Sequence, residues 1–403
     1  MRRIRRLIIL LILPAMLGVS CEKETTIPKS QTKLIYTKIS AFSHITESIT
    51  MSNGNRIFVG EDDGAAVIYV FGIDAQLLWN KRLDYPGRNI FNAVAEMDNG
   101  NIVVAGSTNS AFFETNEQSS DILMQCYSSS GEEIWTSVNG SENDEFILDL
   151  IIDTKGNCVA TGSSNSNFWR SFSIKVGGDG RYLWSREYSF VLYSEGRGII
   201  EMDKGRYMIV GTEGYESWKW PHVFIINANG LEQSNTSFEL YKRWVDKNRD
   251  DYSINILPTD QGFLLSLFFL PLSRDFPSLQ LIEVTEQGSF IRSKEFFGLG
   301  AFKPIAMQQD GSGYLICGAS TPNTDYETFG FREAKSFLLR LDENFKVDWQ
   351  SSIGSSELVQ TAYDFKRTGS TISVGGLSYP QGGNSASFLH YWLDEFGNPI
   401  YKE

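Results

Sequence analysis

The sequence predicts an all-β protein, a seven-bladed β-propeller of four-stranded antiparallel blades. Three observations carry that reading. A turn of the form X-Gly followed by a strand of apolar and small residues occurs seven times. A second pattern (an apolar run, a polar turn and another strand) follows each of the seven. Helical periodicity is absent, and proline is scarce at 11 in 403 residues. Short strands at even spacing with periodic Gly and aromatic residues mark propeller blades, because one such unit cannot bury both faces alone.

Residues 1–20 stand apart from the repeats. Arg2, Arg3, Arg5 and Arg6 make a basic stretch, Leu7 to Leu17 is apolar, and "LGVSC" brings small residues up to Cys21. This is the pattern of a secretory signal peptide, too short to span a bilayer. "LGVSC" also resembles the lipobox of bacterial lipoproteins, which implies that Cys21 becomes a lipidated N-terminus. Each buried methylene of an acyl chain contributes ~0.8 kcal/mol, and two or more chains hold a protein on a membrane. Glu22-Lys23-Glu24 resembles the lysine-plus-acid signal of Bacteroidetes surface lipoproteins, which implies an outer-membrane protein exposed on the cell surface. Residues 21–33, "CEKETTIPKSQTK", are polar and aperiodic and read as a flexible tether. No later stretch approaches eighteen apolar residues.

The propeller is expected over residues 34–403. "KLIYTKIS" at Lys33 looks like a lone fourth strand that could pair with the last blade and close the ring. The X-Gly turns then carry Gly54, Gly100, Gly156, Gly205, Gly262, Gly311 and Gly369, spaced by about 52 residues. The second pattern runs from "VFGIDAQLLWNKRL" to "HYWLDEFGNPIYKE". Four copies end in Trp79, Trp135, Trp184 and Trp349, which are expected to fill the wedges between blades. A third element precedes each X-Gly turn, as in "FILDLIID". The whole resembles repeat propellers of secreted and lipidated bacterial proteins, and its G-x-x-x-W part is similar to quinoprotein dehydrogenases and an outer-membrane assembly lipoprotein. That resemblance implies the fold and says little of function.

Composition narrows the partners. The chain is 41% hydrophobic and 13% aromatic, enough for a sizeable core, and its net charge is −13. Without the four arginines of residues 1–20 the balance is −17. That sign makes nucleic acid and anionic lipid heads poor partners. Cys126, Cys158 and Cys317 sit in strand-like surroundings and read as buried small hydrophobes, with a Cys126–Cys158 disulfide as the sharper alternative.

Loop lengths point to a working face. Turns between first and second strands, and between third and fourth, are short. Connections between second and third strands vary, as do those between blades, and these share one rim. In "GNCVATGSSNSNFWR" a strand ends at Gly162 and a polar loop carries Phe168, Trp169 and Arg170. The same rim is expected to carry Phe112, Phe113, Tyr215, Trp218, Trp220, Tyr326, Phe329, Phe331 and Tyr379. Rings beside polar side chains suit a sugar face or a protein hot spot. The ligand-binding set is therefore Trp218, Trp220, Tyr215, Trp169, Arg170, Phe113, Tyr326 and Tyr379. "ESWKWPH" is the leading candidate, because Trp218 and Trp220 point the same way in an extended segment.

Catalytic signatures are missing from the sequence. No HExxH, Walker loop, GxSxG or CxxC occurs, and His44, His222 and His390 have no ligand spacing. "SENDE" at Ser141 and "KNRDDY" at Lys247 depart from calcium-loop alternation and read as solvated loops. No cofactor and no metal is expected. The expected role is a monomeric binding domain for a glycan or a protein. The alternatives are a glycan-cleaving hydrolase or lyase using rim carboxylates, and a scaffold subunit of an envelope complex.

Overall fold

The computed structural model describes residues 35–38, 43–113, 119–190, 193–215, 218–238, 243–244, 252–269, 279–296, 301–321, 334–355, 358–380 and 386–400. They form seven four-stranded antiparallel sheets arranged as a seven-bladed β-propeller. Blade one runs from the axis outward as Ser43–Thr50, Arg56–Asp62, Ala65–Phe71 and Leu77–Leu83. Blade two is Asn89–Glu96, Ile102–Thr108, Asp121–Tyr127 and Glu133–Asn139. Blade three is Asp144–Ile152, Cys158–Asn165, Trp169–Val176 and Tyr182–Tyr188. Blade four is Tyr193–Glu201, Tyr207–Tyr215, Trp218–Ile226 and Glu232–Ser237, with an added pair Arg243–Trp244. Blade five is Tyr252–Thr259, Gly262–Phe269, Leu279–Val284 and Phe290–Phe296. Blade six is Ala301–Asp310, Gly313–Thr321, Lys335–Leu341 and Val347–Ile353.

Blade seven closes the ring. Its inner strands are Leu358–Thr368, Thr371–Pro380 and Ser387–Asp394. The segment expected from "KLIYTKIS" supplies the outer strand: Ile35–Lys38 pairs antiparallel with Ser387–His390. The end of "HYWLDEFGNPIYKE" does not form a full fourth strand. It contributes one bridge, Leu393 to Pro399, and the Ile400 N–H donates to Trp392 O at 2.8 Å. The first and last described segments thus share one edge.

The core is a ring of wedges. An apolar cluster lies at each blade junction, such as Ile57, Val59 and Ile68 of blade one against Phe91, Ile102 and Val104 of blade two. The other six junctions carry equivalent clusters. Cys126 and Cys158 share the cluster between blades two and three as free thiols, so no disulfide joins them. Burial pushes the Cys158 thiol up to about 12, where it behaves as a small hydrophobe.

The four repeated tryptophans act as clasps at these junctions. Trp79, Trp135, Trp184 and Trp349 each lie on an outer strand and reach the third-to-fourth-strand turn of the next blade. Their indole N–H groups donate to Ser129 O, Gly178 O, Ala228 O and Glu395 O, each at 3.0 Å. Two residues past each carbonyl stands a glycine, at Gly131, Gly180, Gly230 and Gly397. All four have positive φ, and a Cβ on Gly131 would come within 2.9 Å of the Trp79 ring. Only glycine fits both demands. Between blades five and six the pair is different: Arg292 stands at the tryptophan position and Phe345 at the glycine position. The guanidinium carbon lies 4.1 Å from the Phe345 ring centroid, and Arg292 Nη2 donates to Glu343 O at 2.9 Å.

The inner strands carry a β-bulge in six blades, after Ile45, Phe91, Ile147, Gly196, Pro304 and Ala362. Opposite each stands a glycine of the second strand: Gly60, Gly106, Gly162, Gly211, Gly318 and Gly376. A Cβ there would fall on a backbone carbonyl oxygen of the inner strand. Blade five has no bulge, and there Ser266 stands opposite Asn255. The sequence expected the strand to end at Gly162; instead it runs on to Asn165, because the glycine serves the bulge and not a chain reversal.

Candidate functional site

Bulges leave backbone groups unpaired, and neighbouring blades satisfy them. Thr46 Oγ1 donates to Phe91 O at 2.6 Å, Asn92 Nδ2 to Ile147 O at 2.8 Å and Tyr363 OH to Ile45 O at 3.1 Å. Past the bulge, Val94 N donates to Glu47 Oε2 and Ile199 N to Asp149 Oδ2, both at 2.7 Å. Glu47 belongs to blade one and Asp149 to blade three. Groups two blades apart act on each other only across the axis, and the Asp149 charge does raise the Glu47 pKa. Burial is the main cause there, and it pushes the Asp149 carboxyl up to about 7. A carboxyl raised on folding favours the folded state below its unfolded value, and that contribution is lost as pH rises through the folded value. The urea midpoint is therefore expected to fall between pH 4 and pH 7, and the slope to flatten in Asp149→Asn.

The long-loop rim holds the aromatic residues. Phe146, in the inner strand of blade three, meets Trp169 at 5.5 Å between ring centroids. Phe168 meets Tyr193 edge-on at 5.7 Å, and Lys219 Nζ lies 5.0 Å from the Tyr193 ring. Tyr215 packs edge-on against Trp220 at 5.9 Å. These side chains form an arc over blades three and four. At the axial side of the arc, Arg197 and Glu195 pair at 2.8 Å. A separate group joins Tyr85 to Phe112 at 4.5 Å and to Phe113 at 4.8 Å, over blades one and two.

Several expected site residues occupy other surroundings than the sequence suggested. Trp169 and Arg170 begin a strand separated by only three residues from Asn165, and Trp218 and Trp220 lie in one that pairs with Tyr207–Tyr215. Aromatic and β-branched residues suit a pleated surface, so these hairpins continue to the rim. Trp220 is buried at 4% exposure and its Nε1 donates to Glu213 Oε1 at 2.9 Å, so it supports the hairpin and presents no face to a ligand. Trp218 pairs through its backbone with Tyr215 and Trp244, but its side chain lies outside the described residues. Arg170 sits 3.9 Å from Glu187. Phe113 is half-buried against the first junction, and Tyr379 against the seventh, far from the arc. Tyr326, Phe329, Phe331, Cys21 and Lys247 to Asp251 lie outside the described residues.

Of "SENDE", Ser141 and Glu142 form an exposed loop as expected, but Asp144 and Glu145 begin the inner strand of blade three. Asp144 Oδ1 accepts from Ser120 N at 2.9 Å, and the buried Glu145 accepts from the Ser141 amide and hydroxyl. Burial raises the Glu145 pKa, and the nearby Asp121 and Glu187 add to it. His222 is buried with its pKa lowered to about 3, a neutral core ring. Among the described residues no three His, Cys, Asp or Glu side chains gather as metal ligands. Sequence reading missed Phe146, Tyr193, Glu195 and Arg197. Their one signal is a fixed position within a few residues of the inner-strand bulge.

No protein-family model matches the chain, and no curated protein matches it. Solved structures similar to it include BBS1N in complex with ARL6DN, at TM-score 0.49 and 10% identity over 91% of this chain and 99% of that one. The β-propeller domain of the Trilobed protease from Pyrococcus furiosus aligns at TM-score 0.47 and 10% identity, over 89% and 100%. The Pan2 WD40 domain of Neurospora crassa aligns at 0.41 and 9%, over 77% and 90%. Likeness at this level concerns the fold, and no ligand or partner is carried over from it.

Proposed function

We propose that this chain is a lipid-anchored propeller of the bacterial outer membrane, held through Cys21, that binds a glycan or a protein partner on its long-loop rim. The observation that carries the reading is the aromatic arc of Phe168, Trp169, Tyr193 and Tyr215 over blades three and four. Phe168 and Tyr215 remain exposed, while the rings behind them are fixed by packing. Fixed rings beside an ion pair and serine hydroxyls offer a planar face with polar flanks, the arrangement that anchors sugars and protein hot spots at low entropic cost. The opposite rim is closed by turns of five residues or fewer and leaves little room for a cleft.

The test is a glycan array together with capture of envelope proteins on the immobilised chain, followed by Phe168→Ala with Tyr215→Ala. Both rings are exposed, so the melting temperature should hold. Affinity for the captured ligand should fall about tenfold or more, in keeping with loss of two aromatic anchors. An unchanged affinity moves the site away from the arc.

A further inference from the structure

We propose that the short-turn rim at blades seven and one rests on a zwitterionic lipid surface, with Ile73, Leu77, Leu78 and Phe396 entering its headgroup layer. The inference builds on the reading of Cys21 as a lipid anchor and adds an orientation to it. Ile73 and Phe396 are 68% and 66% exposed, an unusual degree for large apolar side chains. Each sits in a third-to-fourth-strand turn, Gly72–Gln76 in blade one and Asp394–Asn398 in blade seven. These blades are neighbours, so the two turns stand side by side. Leu77 and Leu78 continue the patch. The register shift opposite Val70 and Phe71 makes Leu78 a bulged residue, which leaves both leucines exposed where a regular strand would turn one inward.

The chain itself indicates what covers this patch. Ile35–Lys38 is the outer strand of blade seven and runs from the short-turn end towards the long-loop end. Ile35 lies opposite His390, midway along the edge of Ser387–Asp394, and the Leu393–Pro399 bridge takes up the short-turn part of it. Cys21 precedes Ile35 by fourteen residues, a tether that spans at most about 50 Å when fully extended. An anchor within that reach keeps the propeller near the bilayer, and the length alone sets no orientation. An apolar patch on the rim from which this first strand runs would set one. Asp74 and Glu395 flank the patch and are exposed. Glu395 lies 3.7 Å from Arg367, so charges of both signs border the patch, and the surface that fits is zwitterionic. The aromatic arc, on the other rim, then faces away from the membrane.

The test uses the mature acylated chain in phosphatidylcholine vesicles, with Ile73→Cys, Phe396→Cys and Phe168→Cys variants each carrying an environment-sensitive fluorophore. Positions 73 and 396 are expected to shift to the blue and to be quenched by nitroxide-labelled lipid, and position 168 to report water. Equal response at all three positions overturns the proposal. Protection at 73 and 396 without quenching also overturns it, because a protein surface would then cover the patch. The mass of the mature chain tests Cys21 acylation separately. If acyl chains are absent, flotation of the chain with the same vesicles decides the matter. A bound fraction about tenfold lower in Ile73→Ser with Leu78→Ser and Phe396→Ser supports the patch, and equal fractions or no binding by the parent chain overturn it.

Discussion

Gly162→Ala is expected to destabilise the propeller by about 3 kcal/mol or more, read from urea or thermal unfolding. The added methyl group would fall on the carbonyl oxygen of Phe146, and a backbone atom held in a sheet cannot swing aside as a side chain can. Ile147 lies opposite Gly162, and the bulge after it is what brings the Phe146 carbonyl so close. The control is Ser266→Gly in blade five, where the inner strand has no bulge. That change should cost only about 1 kcal/mol, the ordinary penalty for glycine in a strand. Equal losses at both positions would remove the link between bulge and glycine.

Asp153→Ala should cost about 3–5 kcal/mol, because it strands a buried cation. Lys175 Nζ lies 2.7 Å from Asp153 Oδ2 and donates to the Tyr207 hydroxyl at 2.7 Å; Tyr207 in turn donates to Asp153 at 2.9 Å. The same carboxylate accepts the Lys155 and Asn157 amides and so shapes the turn. Replacing both partners, Asp153→Ala with Lys175→Met, should recover much of the loss, since no unpaired charge is then buried. Burial alone would raise the Asp153 pKa, but the bonds from Lys175 and Asn157 outweigh it and hold the carboxyl at about 2. A carboxyl lowered on folding gives its full contribution above its unfolded value near 4 and loses it as pH falls towards 2. Loss of the acid limb of the stability profile in Asp153→Ala is the corresponding measurement.

The fold was legible because its turns are written in residue types with few other uses. The X-Gly steps and the recurring tryptophans mark chain reversals and junctions at a constant interval. Other features were not legible, for reasons the structure makes plain. Gly162 looks like a strand end, since glycine usually interrupts strands, yet it is there to make room for a bulge in a different strand. Trp218 and Trp220 share a face by their spacing, but spacing does not say whether that face meets solvent or core. Trp220 meets the core because Glu213 offers its indole a buried acceptor. Glu195 and Arg197 carry no signal beyond their place beside the inner-strand bulge. They gain meaning only once the inner strands are set around a common axis.

The clasp between blades has a genetic corollary. Tryptophan and glycine are encoded about one repeat apart, and each belongs to a different copy of the unit. A duplicated unit carrying both halves can be inserted among its own kind and still engage on either side. The copy holding Phe345 cannot, for an indole arriving from upstream would collide with that phenyl ring where it expects a bare turn. Recombination among these copies is therefore restricted to those with matching halves, and Arg292 and Phe345 must be inherited together although they stand in separate copies.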